Sequence, residues 1–349
     1  MTSNPLAVID ISKPQEEITP GLLAAAVKQG FLFVDGHGIP KDQVDKLFEL
    51  SKEYFTTTPE KEKLKYLINP DNNIGYTHFG SEQLDPRKTK DFKEGYNFGY
   101  IDFETGEFNQ SKQDYYRSKN KDIKEDVQNP IPPYFKQNSQ LLSDTMIRLH
   151  QIAREIMKLI AISLNIENQQ FFTEKLRPKE PNGSIFRILR YPLIRNDGND
   201  INSTDEDLLS IRAGAHTDYG ALTLLFQKEA QQGLQLQLDE DNPDEWLNVP
   251  YIKSAHKDMA APLVVNFGDL LNFWTQGVLK STTHRVKFSP GETRNSDRYS
   301  IVFFVHPEND ARLEPVPSDI VRKAANGEDI PQMTALEHLQ QRLKETYNW

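Results

Sequence analysis

The rhythm of apolar and polar positions divides the 349-residue chain into a mixed first part, a long helix and a run of short strands. "PGLLAAAVKQG" (Pro20 to Gly30) sets helix formers between a proline and a closing glycine, and "FLFVDGHGIP" after it reads as a buried strand ending in a turn. "KDQVDKLFELSKEYFTTTPEKEKLK" keeps a helical spacing, interrupted by the cap signal Thr58-Pro59-Glu60. From Tyr66 to Asn129 the composition turns polar with scattered aromatics, which predicts a long loop region with little regular structure. Beyond the proline-rich "NPIPPYF", Leu141, Leu142, Thr145, Leu149, Ile152, Ile156, Leu159 and Ile160 recur at helical spacing and predict one long amphipathic helix, the spine of the fold.

From Gly183 the pattern changes to short β-type segments: "GSIFRILRYP", "IRAGAHTDYG", "ALTLLFQ", "GLQLQL", "WLNVP", "PLVVNFGDLLNFW", "STTHRVKF" and "RYSIVFFVHP". Turn signals separate them at intervals of about ten residues, as in a sandwich or jelly roll. "GEDIPQMTALEHLQQRLKETYNW" predicts a closing helix.

Composition then narrows the chemistry. The chain contains no cysteine, which removes disulfides, thiolate zinc sites, iron–sulfur clusters and cysteine nucleophiles, so any metal is held by nitrogen and oxygen. A formal charge of −10 argues against a nucleic-acid surface, because such affinity rests on neutralising phosphates with Lys and Arg. "MTSNPLAVIDIS" has neither a basic start nor an apolar h-region, and runs such as "PLVVNF" are too short to span a bilayer. A soluble, cytoplasmic, monomeric protein with no membrane partner is expected.

Within "GAHTDYGALTLLFQ", His216 and Asp218 lie at i and i+2, so in an extended strand both point to one face while Thr217 points away. A second histidine, His284, sits in the strand-like "STTHRVKF". Two imidazoles and one carboxylate leave coordination positions open, as non-haem Fe(II) sites do and closed structural zinc sites do not. An isolated H-x-D pattern is common, and His256 with Asp258 forms another, but in a Lys-flanked polar stretch that reads as a solvated loop. His37 reads as a turn or core histidine, and His78, His150, His306 and His338 have no carboxylate at ligand spacing.

Downstream, Arg298 and Ser300 share one face of "RYSIVFFVHP" by alternation, with Tyr299 and Ile301 on the other. An arginine pointing into a barrel is costly unless it meets an anion, and its planar fork suits a carboxylate, with a serine hydroxyl adding one hydrogen bond. An internal Arg–Glu pair is the competing explanation.

Together these residues resemble the 2-oxoglutarate/Fe(II)-dependent dioxygenases of the isopenicillin N synthase-like family. The likeness spans most of the chain, through "AVIDIS", "GFLFVDGHGIP", "DFKEGYNFG", "RILRYP", "GAHTDYGALTLLFQ", "GLQLQ", "VVNFGDLLNFWTQG", "STTHRV" and "RYSIVFFVHP" in family order. It implies an α+β, mainly β fold: a double-stranded β-helix (jelly roll) core with an N-terminal α/β region and a long packing helix. The corresponding divisions are an N-terminal region at 1–134, the spine helix and connection at 135–182, the Fe(II)/2-oxoglutarate core at 183–306 and a helical tail at 307–349.

By the same resemblance His216, Asp218 and His284 are the iron ligands, and Arg298 with Ser300 holds the distal carboxylate of 2-oxoglutarate. Tyr191 matches a tyrosine that contacts the co-substrate. Arg187 matches an arginine that reaches co-substrate or substrate in the ethylene-forming branch. Leu189 stands where plant members usually carry Asn, so an amide contact is missing. The implied reaction uses Fe(II), O2 and 2-oxoglutarate to hydroxylate or desaturate a small organic substrate, releasing succinate and CO2. Phe79, Phe92, Tyr96, Asn97, Phe98, Phe186 and Phe304 are candidate substrate contacts, and the 66–129 region a candidate substrate mouth. Three rivals stay open: an Fe(II) oxidase of the same fold that uses no 2-oxoglutarate, a catalytically silent jelly-roll binding protein, and a zinc hydrolase, which lacks an obvious general base.

Overall fold

Side-chain alternation along the strand Arg298–Val305 sets the layers of the molecule. Tyr299, Ile301, Phe303 and Val305 face a large apolar core shared with the helices, whereas Arg298, Ser300, Val302 and Phe304 face the opposite way, into a cavity. The computed structural model describes residues 4–69, 73–84, 91–99, 101–108, 131–193, 210–239, 241–288, 296–326 and 331–346.

The strands are β1 (Val8–Asp10), β2 (Phe31–Asp35), β3 (Gly75–Thr77), β4 (Glu94–Phe98), β5 (Ile185–Tyr191), β6 (Ile211–His216), β7 (Leu222–Phe226), β8 (Leu234–Leu236), β9 (Leu247–Asn248), β10 (Leu263–Phe267), β11 (His284–Lys287) and β12 (Arg298–Val305). They form an eight-stranded sheet in the order β1-β2-β10-β7-β12-β5-β4-β3 and a four-stranded sheet in the order β6-β11-β8-β9. Leu189, Tyr191 and Val302 of the large sheet pack against Ala213, Val286 and Phe288 at the small one, closing the jelly roll.

Helices cover the other face of the large sheet: α1 (Gln15–Lys28), α2 (Lys41–Thr57) and the spine α3 (Ser139–Ser163). The predicted periodicity of α3 is realised, since Leu142, Leu149, Ile152, Ile156 and Ile160 are all buried. Each such side chain contributes about 1.5 to 3 kcal/mol.

Two expectations are corrected. The polar stretch 66–129 reads as loop, yet it supplies β3 and β4, which extend the main sheet beside β5. Its charges mislead because their partners are remote in sequence. Glu94 is fully buried and accepts from Lys63 at 2.7 Å, Arg190 at 2.9 Å and Tyr76 Oη at 2.6 Å. Within that stretch residues 70–72, 85–90, 100 and 109–129 lie outside the described residues. Second, "PLVVNFGDLLNFW" is only half strand: after β10 the chain breaks at Gly268 into a short helix α4 (Asp269–Trp274). The chain closes with α5 (Ala335–Thr346). Among the described residues, no helix is long and apolar enough to cross a membrane.

Candidate metal centre and co-substrate cavity

His216 ends β6 and His284 begins β11, and the pairing register sets them opposite each other. Asp218 follows two residues past the strand end. Potential ligand atoms of the three lie within 4.8 Å of one another, the one such grouping among the described residues. Asp218 Oδ1 is 3.9 Å from His216 Nε2 and 3.7 Å from His284 Nε2.

Each imidazole is oriented from behind. His216 Nδ1 donates to the Gly214 carbonyl at 2.8 Å and His284 Nδ1 to the Thr282 carbonyl at 3.1 Å, which fixes the tautomer and leaves the Nε2 lone pair for a metal. Asp218 Oδ2 accepts from Thr223 Oγ1 at 2.6 Å and Asn266 Nδ2 at 2.8 Å. Thr223 and Asn266 are register partners on β7 and β10, so one inward-facing cross-strand pair holds the carboxylate and leaves Oδ1 toward the histidines. Gly268 lets α4 approach: a Cβ there would stand 2.3 Å from the Gly220 carbonyl oxygen and 2.8 Å from that of Asp218.

The electrostatics suit a divalent cation. Burial, helped by the neighbouring His284, pushes His216 down to about 3, so its ring is neutral at physiological pH. Burial would raise the Asp218 carboxyl, but His284, His216 and the two donors outweigh it and hold it below the ordinary carboxylate range. Two imidazole nitrogens, one carboxylate oxygen and a side open to the cavity make a donor set that fits Fe(II).

The cavity, about 240 Å³, lies between the two sheets. At one end Arg298 Nη1 donates to Ser300 Oγ at 2.5 Å and Nε donates to the Gln231 carbonyl at 3.0 Å, while the guanidinium stands 4.9 Å from the Tyr191 ring centre. Arg298 faces Tyr191 and Ser300 faces Leu189 across the β12–β5 pairing, so all four line the cavity. Arg187 also lines it, donating to Glu82 at 2.7 Å and to Thr77 Oγ1 at 3.1 Å. Burial would raise Glu82, but Arg187 and Lys93 overcome it and hold the carboxyl down to about 2. Lys93, buried and cavity-lining, bridges Glu82 at 3.3 Å and Asp91 at 2.7 Å.

Of the candidate substrate contacts, Phe304 lines the cavity. Tyr96, Phe98 and Phe186 do not: in the β4–β5–β12 register they occupy the opposite face and pack in the helix-side core with Phe135 and Phe303. Alternation identifies which residues share a face, but not which face looks inward. Phe79 is 41% exposed, and Phe92 is half-buried near the Arg212 guanidinium. Asn97 is buried on the Arg187 side, donating to the carbonyl of Asn73, itself a cavity residue. His256 bonds Asp10 at 3.1 Å and Asp258 is exposed, in keeping with a solvated loop.

Sequence reasoning missed Thr223, Asn266, Gln231 and Lys93. It also missed that Leu336, Leu339 and Leu343 of α5 wall the cavity, although their helical spacing is visible in the chain. His306, which burial pushes down to about 3, adds a neutral ring to that side.

Residues 6–121 match the family described as the non-haem dioxygenase in morphine synthesis N-terminal domain, and residues 186–307 match the 2OG-Fe(II) oxygenase superfamily. The chain belongs to this superfamily. A Dictyostelium discoideum protein of the iron/ascorbate oxidoreductase type is 30% identical, over 88% of this chain and 82% of its own. A proline hydroxylase of Petromyces alliaceus is 27% identical, over 95% and 94%. A full-length Neurospora crassa protein, solved in complex with alpha-KG (2-oxoglutarate), superposes with a TM-score of 0.74 at 26% identity, over 98% of this chain and 96% of that one. It was also solved with alpha-KG and thymine. The protein is a 2-oxoglutarate-dependent dioxygenase, with Fe(II) as cofactor and 2-oxoglutarate as co-substrate.

The Asp218 clamp yields a direct expectation. Thr223→Val or Asn266→Leu removes one of the two donors to Oδ2, and such supporting partners typically change metal affinity about 10- to 100-fold. Anaerobic Fe(II) titration should show that loss in each variant, and wild-type affinity in both would contradict the role given to the pair.

Proposed function

We propose that His216, Asp218 and His284 hold the iron, that Arg298 with Ser300 binds the distal carboxylate of 2-oxoglutarate above Tyr191, and that the substrate is a small organic molecule. The observation that carries this reading is the meeting, in one cavity, of the histidine–carboxylate cluster with a buried arginine whose fork is already aligned by Ser300 and Gln231. When bound, the iron supplies O2 activation coupled to oxidative decarboxylation of 2-oxoglutarate. The protein's own residues do the rest. Asp218 would supply the anionic ligand, the two carbonyl-anchored histidines would offer their Nε2 atoms beside it, and Arg298 would orient the co-substrate by its far end. Leu189, Val302 and Leu225 exclude water from the cavity wall.

Arg187, opposite Val302 in the β5–β12 register, is a further contact to co-substrate or substrate, with its partner Glu82 setting its direction. Phe304, His306 and the leucines of α5 are read as the substrate side.

Succinate formation tests this function. Fe(II)-loaded protein with 2-oxoglutarate and O2 should release succinate slowly alone, and about tenfold or more faster with the correct member of a small-molecule panel, since substrate completes the site. Absence of succinate under every condition would overturn the reading.

A further inference from the structure

The C-terminal helix α5 is built unlike the other helices that touch the sheet. Its N-terminal end is fixed twice over. Thr334 and Glu337 form a reciprocal capping box, Glu337 Oε2 accepting from Thr334 N at 2.7 Å and Thr334 Oγ1 from Glu337 N at 3.2 Å. Buried His338 lies 5.4 Å from the Phe273 ring. The apolar stripe Leu336, Leu339 and Leu343, however, looks into the cavity and is only half-buried, outside the packed cores. A helix of 12 residues has little stability of its own and depends on such packing.

What fixes the C-terminal half is Arg342. Its Nη2 lies 2.8 Å from Asp269 Oδ2, and its guanidinium stands 5.6 Å from the centre of the Tyr219 ring. The same carboxylate accepts from Thr217 Oγ1 at 2.9 Å and Ser281 Oγ at 2.7 Å, and Asp269 N donates to the Asp218 carbonyl at 2.7 Å. Thr217 is the residue between His216 and Asp218, so one carboxylate ties the helix to the turn that carries the cluster. An exposed ion pair would be worth little. Here the side chains are 32% and 17% exposed, and Asp269 is held in place by two hydroxyls before the arginine arrives.

We propose that Arg342 is a positioning residue: it latches α5 across the substrate side of the cavity, and docking of the helix and binding of the primary substrate reinforce each other. The physical reason is the half-buried leucine stripe. A substrate filling the cavity supplies the packing that the leucines lack, so it favours the docked helix by the difference in contact between the two states. In the same way, the latch lowers the ordering cost of substrate binding. Leu336, Leu339 and Leu343 then select substrates by shape and apolar contact. This inference rests on the cavity being the oxygenase site described above.

Hydrogen exchange of the anaerobic Fe(II)·2-oxoglutarate protein separates the two claims. Arg342→Ala should speed amide exchange in residues 339–344 about tenfold or more, with α3 unchanged, while 2-oxoglutarate binding, read from its visible charge-transfer band, stays within about threefold of wild type. Arg342→Lys should recover exchange in part, because a point charge restores the pair with Asp269 but not the forked guanidinium beside the Tyr219 ring. Unchanged exchange in 339–344, or faster exchange throughout the protein, would overturn the latch. A missing band in wild type would instead remove the site reading and leave the helix measurement standing.

Discussion

Asp218→Ala protein, incubated anaerobically with micromolar Fe(II) and desalted, is expected to retain almost no iron and to form no succinate. The side chain is the one anionic donor in the cluster, and without it two neutral imidazoles face a dication whose charge is uncompensated in a buried site. Thr223 and Asn266 would then point their donors at no acceptor, so structure elsewhere does not rescue the loss. Asp258→Ala is the matched control, since that residue belongs to the other H-x-D pair and its side chain is 86% exposed. It should leave iron content unchanged. Stoichiometric iron in the Asp218 variant would remove the ligand assignment.

Arg298→Ala is expected to weaken 2-oxoglutarate binding by roughly thirty-fold to several-thousand-fold, equivalent to about 2 to 5 kcal/mol, because a buried carboxylate loses a charged, forked partner. Arg298→Lys should recover only part of this. Calorimetry on the anaerobic Fe(II) protein measures the affinity directly. Because Arg298 also donates to Gln231 and stands over Tyr191, the thermal midpoint of each variant must be followed alongside. Iron affinity should be untouched. A wild-type 2-oxoglutarate affinity in Arg298→Ala would show that another cation holds the co-substrate, with Arg187 and Lys93 the cavity-lining alternatives.

Much of this site is legible in the amino-acid sequence, for identifiable reasons. Ligand spacing survives in sequence because His216 and Asp218 are neighbours, and the face shared by Arg298 and Ser300 follows from strand period alone. What is not legible depends on pairing between remote segments. Lys93 and Glu94 look like loop residues until Glu82, Lys63 and Arg190 are brought to them. Tyr96, Phe98 and Phe186 share a face in the folded sheet, yet nothing local distinguishes the helix side from the cavity side. The stripe on α5 has the same period whether it meets a packed core or a substrate. The Thr223–Asn266 clamp arises only when β7 pairs with β10, and neither residue carries a motif of its own.

The central claim is that one cavity assembles iron and 2-oxoglutarate on these residues, and one optical titration tests it most directly. Adding 2-oxoglutarate to anaerobic, Fe(II)-loaded wild-type protein should produce the visible metal-to-ligand charge-transfer band of the chelate, saturating at one equivalent with no other substrate present. The same titration should give no band with Asp218→Ala. Wild-type protein that carries iron yet shows no band and no succinate, while consuming O2 with a carboxylate-bearing substrate, would contradict the account and assign Arg298 and Ser300 to that substrate instead.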